Sequence, residues 1–96
     1  MKLTKGIISR DEAIQISAEY VRFVEGNFDE FNAIIKAFEQ LKRGQPVITY
    51  YDGQFIKAKV SSIRSDAIRA VDDRLVRVSN GEYSWRVDGD KYAFPA

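Results

Sequence analysis

The chain has no cysteine and no histidine. The first absence removes disulfides and thiolate metal sites and fits a reducing compartment. The second removes the usual general base near neutral pH, the serine–histidine and cysteine–histidine pairs, and most zinc or iron sites. No phosphate-binding loop, dinucleotide fingerprint or carboxylate cluster makes up for these losses. The chain therefore reads as a non-enzyme without a cofactor. No apolar run approaches the length of a membrane span, and residues 1–10 carry charges rather than the apolar core of a signal peptide. A cytoplasmic location is the expectation. Neither sign of charge is in surplus, because 15 basic residues face 14 acidic ones. The two halves are balanced as well, with seven of each sign through Pro46, then eight basic and seven acidic. Any attraction to nucleic acid or membranes must come from a local patch.

Ninety-six residues with 45% apolar and 30% charged content make one soluble domain, residues 1–96. In residues 1–44 the apolar period is helical. Ser9 followed by Glu12 has the spacing of a capping box, and Ala13, Ile16, Tyr20 and Val24 then recur at three- and four-residue steps. One helix is predicted from Ser9 to the left-handed stop at Gly26. Asn27 with Glu30 repeats the cap, and a second helix carries Phe28, Phe31, Ile34, Ile35, Phe38 and Leu41 to its end at Gly44 and Pro46. The large apolar side chains of these helices exceed what one small sheet needs as cover. A homodimer built partly on the second helix is an open alternative to a purely internal core.

From residue 45 the period changes to two. Residues 47–51 and 54–63 flank Asp52-Gly53, residues 67–71 and 74–78 flank Asp72-Asp73, and the last runs surround Asn80-Gly81 and Asp88-Gly89. The prediction is an α+β chain: a helical hairpin, then an antiparallel meander of about six strands, as an open sheet or a small SH3-like barrel. Two-residue turns would set Val78 opposite Tyr83, Arg77 opposite Ser84 and Val76 opposite Trp85. The second turn would set Trp85 opposite Tyr92 and Tyr83 opposite Phe94. Val76, Val78, Tyr83, Trp85, Val87, Tyr92 and Phe94 would then share a core face, with Arg77, Ser84, Arg86 and Lys91 on the other.

That second face is the candidate site. Arg69, Arg77, Arg86 and Lys91 can gather there with Lys57 and Lys59 nearby, and arginine forks match phosphate bidentately. Asn80, Ser84 and Tyr50 would add neutral hydrogen bonds and a ring. A plain solvated face, salt-bridged to Glu82, Asp72 and Asp73, explains the same residues. Asp88 and Asp90 could hold a divalent cation, though the turn accounts for Asp88 and Gly89 without one.

SRDEAI opening the first helix, QLKRGQPV closing the second and VRVSNGEYSWRVDGDKYAFP at the end give a layout that resembles the Thoeris anti-defence sponge proteins of bacteriophages. The resemblance spans nearly the whole chain and rests on layout and length. It implies sequestration, without cleavage, of cyclised ADP-ribose signals made by bacterial immune systems. It also implies dimers or larger oligomers, ligand pockets near subunit contacts, and a place in the host cytoplasm. No ligand residue is carried over from the family. The expectation is a protein that binds and sequesters a small phosphorylated, cyclic nucleotide. The alternative is an SH3-like protein- or nucleic-acid-binding module using Tyr50, Tyr51 and Phe55.

Overall fold

A computed structural model of the chain describes residues 3–65, 74–87 and 92–96. Arg69, Lys91, the strand expected over 67–71 and the turns at Asp72-Asp73 and Asp88-Gly89 lie outside the described residues. The architecture is α+β, with helices N-terminal and an open, six-stranded antiparallel sheet C-terminal. The elements run β1 (Ile7–Ile8), α1 (Arg10–Ile16), α2 (Ala18–Val24), a 3-10 turn (Phe28–Glu30), α3 (Phe31–Glu39), β2 (Pro46–Tyr51), β3 (Gln54–Ser65), β4 (Arg74–Ser79), β5 (Ser84–Arg86) and β6 (Phe94–Pro95). No helix among the described residues is long and apolar enough to cross a membrane.

Ser9 caps α1 as expected, its hydroxyl accepting from the Glu12 N–H at 3.1 Å. The single first helix is corrected to two, because Ser17 is extended (φ −158°) and its hydroxyl accepts from the Tyr20 N–H. A serine side chain offers the backbone an alternative to the helical bond, and here it restarts the helix. The stop at Gly26 has φ +99°, with Asn27 N–H donating to Arg22 C=O and Gly26 N–H to Phe23 C=O, the two bonds of a Schellman motif. Asn27 caps only the 3-10 turn, its side chain accepting from the Asp29 N–H, and α3 begins four residues later.

Strand β3 is the hub of the sheet. It pairs with β2 along one edge, and with β1 and then β4 along the other. The Asp52-Gly53 turn forms as the dipeptide requires, with φ of +55° and +74° and Tyr51 opposite Gln54. The full path is β5-β4-β3-β2-β6. Here the last hairpin is corrected: β6 pairs with β2, setting Ile48 opposite Phe94, and β5 is left at the far end. The aromatic residues 92 and 94 go under the helices instead, Tyr92 against Phe38 (4.8 Å between ring centres) and Phe94 stacked on Tyr20. The Asn80-Gly81 hairpin is corrected in register, with Arg77 opposite Arg86, Val78 opposite Trp85 and Ser79 opposite Ser84. The Asn80 side chain accepts from the N–H groups of both Glu82 and Tyr83, so four residues form the loop and Tyr83 is 39% exposed rather than in the core.

Two cores result. Val47, Ile56, Ala58, Val60, Val76, Val78, Trp85 and Val87 line the inner face of the sheet with Phe38 and Leu41 against them. Ile48 and Phe55 on the outer face pack against Ala13, Tyr20, Val21, Phe23 and Val24. The N-terminal segment is fastened to the β4–β5 loop, since Asn80 Nδ2 donates to Lys5 C=O and the Glu82 carboxylate accepts from Thr4. Those bonds hold the Glu82 carboxyl below its ordinary pKa. Gly6 is the tight point: φ is +78°, and a Cβ there would lie 2.5 Å from the Lys57 carbonyl oxygen. Gly6→Ala is expected to cost several times more stability than Gly26→Ala, whose Cβ meets nothing and whose cost is the left-handed strain alone, about 1–2 kcal/mol. Equal midpoints for the two variants in urea denaturation would contradict this close approach.

Candidate functional site

Helices cover the outer face of the sheet only around β2, β6 and the start of β3. Among the described residues no helix covers the rest of that face, over β3, β4 and β5. Its chemistry follows from strand sequence and one bulge. Alternation puts Lys57 and Lys59 outside while Ile56, Ala58 and Val60 point in. Between Val60 and Ser62 the register with β4 shifts by one residue, which leaves Ser61 as the extra residue of a bulge. After it the parity reverses, so Ser62 and Arg64 share the outer face with Lys57 and Lys59, and Ile63 stays in the core.

Ser62, Arg77 and Arg86 therefore lie in one row across three strands. With Arg64 and Leu75 they line a shallow hollow of about 170 Å³. The Arg77 guanidinium reaches back to Ser84, donating to its carbonyl at 3.4 Å and its hydroxyl at 3.5 Å. A second hollow, of about 380 Å³, has Pro46, Lys57, Lys59 and Ser79 in its lining. The described strands together carry six cations (Lys57, Lys59, Arg64, Arg74, Arg77, Arg86) and no Asp or Glu. The described acidic residues sit in helices and loops instead. Both ion pairs among the described residues, Arg10–Glu25 and Arg22–Glu30, join helical segments. Hydrogen bonds from Arg10 hold the Glu25 carboxyl below its usual range.

Of the residues expected at the site, Arg77, Arg86 and Ser84 come together. Asn80 lines the second hollow, but its amide is committed to the loop and to Lys5. Tyr50 lies elsewhere, half-buried beside the helices with its ring edge-on to Phe55 at 5.0 Å. Arg69 and Lys91 are outside the described residues. Arg64 was not foreseen, because strict alternation from Lys57 turns it inward and only the bulge brings it out. Arg77 and Arg86 stand directly opposite each other across the β4–β5 pair, within reach of one bound anion.

A phosphate can accept charge-assisted hydrogen bonds from both guanidinium groups at once. Millimolar inorganic phosphate is expected to raise the wild-type Tm, and the gain should shrink in Arg77→Ala. In the absence of phosphate, Arg77→Ala should change stability by no more than ~0.5 kcal/mol, whereas Trp85→Ala, which removes the ring stacked on Tyr51, should cost about 3–5 kcal/mol. An equal phosphate shift in wild type and Arg77→Ala would dissociate the arginines from anion binding.

Comparison with protein-family models, with curated proteins and with solved structures finds no match for this chain.

Proposed function

We propose that this protein is a non-catalytic binding module that takes a small phosphorylated nucleotide on the outer face of β3, β4 and β5 and holds it intact. The observation that carries the reading is the row Ser62–Arg77–Arg86 with Arg64 beside it, on described strands whose sequences hold no Asp or Glu. Two planar guanidinium forks on adjacent strands suit a phosphate or pyrophosphate, which accepts several charge-assisted hydrogen bonds at once. The chain has no histidine and no cysteine, the side chains that most often activate water or attack a phosphoester at neutral pH. Sequestration of a cyclised ADP-ribose signal by a phage-type anti-defence protein, the function implied by the resemblance, fits such a face.

A second reading has its own observation. Lys57 and Lys59 extend the cationic row into a second hollow, as a track for single-stranded nucleic acid would.

Calorimetry with cyclised ADP-ribose isomers at tens of micromolar protein tests the first reading. Saturable heat is expected, with the ligand recovered unchanged after heating the protein. Arg77→Ala should weaken binding by roughly 10-fold or more, as loss of a charge-assisted hydrogen bond implies. No heat with any isomer ends this reading. Titration of single-stranded DNA and RNA across a salt series tests the second, since polynucleotide affinity must fall steeply as counterions are released.

A further inference from the structure

The largest concavity among the described hollows shares no lining residue with the arginine hollow. It holds about 480 Å³ between β1, the Asp52-Gly53 turn and the end of α2. Tyr50 and Phe55 contribute its aromatic surface, Ile7, Ile8 and Val24 its aliphatic walls, and the Arg10–Glu25 ion pair its rim. Three of the four large apolar side chains exposed among the described residues belong to this region of the chain. Ile7, 38% exposed, lines the hollow itself. Phe28 and Phe31, 74% and 40% exposed, follow directly on α2, whose last turn forms its wall. Single exposed apolar residues are ordinary; a projecting ring three residues along the chain from the rim of a hollow of ligand size is not.

We infer that the occupant of this hollow is Phe28 of a second copy of the chain, in a two-fold symmetric dimer. Phe28 comes three residues after the rim residue Glu25, across the left-handed turn at Gly26. Knob and hole thus lie close together on one chain, and a two-fold axis between them seats each Phe28 in the other copy's hollow, as self-complementary contacts require. The knob is already ordered: the two Schellman bonds fix its entry and the Asn27 side chain fixes the 3-10 turn that carries it. Little conformational entropy remains to be lost on docking.

Charge agrees with this pairing. Asp29 is exposed beside Phe28, and Arg10 on the rim engages Glu25 through Nε and one terminal nitrogen only, leaving guanidinium donors for a second carboxylate. Area agrees as well. Two phenylalanine rings and the walls they cover remove about 600–1,000 Å² from water, counting both sides of each contact. Phe31 and Ile7 carry the total toward the ~1,200 Å² at which specific interfaces begin.

Sedimentation of the full chain over a concentration series tests the inference. The wild type is expected to dimerise at tens of micromolar. Phe28→Asp should leave circular dichroism and Tm unchanged, because the ring is mostly in solvent, while weakening association about 30-fold or more, as loss of a buried aromatic anchor does. Ile7→Arg should block the hole to similar effect. Mixing the two variants restores one of the two knob contacts, so the mixture should associate more tightly than either variant alone. A wild type that stays monomeric at hundreds of micromolar overturns the inference. So does a Phe28→Asp dimer as tight as wild type, or a mixture no tighter than its components.

Discussion

Strand β3 carries hydrogen bonds to three other strands, and its twelve residues must serve different neighbours at each end. Its first half is shared by β1 and β2 and its second half is paired with β4. A regular strand of that length would hold one parity throughout. The extra residue at Ser61 breaks it, so that Ile56, Ala58, Val60 and Ile63 all reach the inner core despite their mixed spacing. The same extra residue carries Arg64 to the outside. Core and candidate site thus depend on one bulge.

Charge is distributed with comparable economy. Balanced halves in the sequence conceal a segregation among the described residues: Glu25 and Glu30 pair with helical arginines, Glu82 holds a loop, and the strands carry cations but no Asp or Glu. Ser9, Asn27 and Glu82 show the polar side chains that fasten local backbone. Lys57, Lys59, Arg64, Arg77 and Arg86 alternate with apolar residues and are therefore delivered together to the face that no described helix covers. A nearly neutral chain in this way gathers five cations on one face of its described strands without any run of basic residues.

The helical layer answers a different need. Tyr92 and Phe94 bring aromatic area that the three-residue β5 is too short to shelter. Tyr20, Phe23 and Phe38 receive them, and β6 is thereby drawn to the open edge of β2. Pro95 is tolerated at that position because β6 ends the hydrogen-bonded path. Tyr20 itself is fully buried, which pushes its hydroxyl pKa well up and keeps the group neutral in the core.

Local signals in the sequence determined the helical half and the sheet half, the caps at Ser9 and Asn27, the stop at Gly26 and the hairpin at Asp52-Gly53. Each depends on residues within a few positions of one another, where side-chain period and permitted φ values suffice. They also determined that Arg77 and Arg86 share a face, since the change of register at Asn80 left their parity intact. Only the tertiary structure decided that Ser17 divides the first helix, that the side chain of Asn80 lengthens its loop, that β6 leaves β5 for β2, and that Arg64 turns outward. Those outcomes were settled by competition between distant groups: aromatic rings seeking the deeper cover of the helices, an asparagine amide anchoring a segment 75 residues away, and a long strand adjusting its register to two different partners. Spacing along the chain does not encode such competition, because the rival contact lies elsewhere in the sequence.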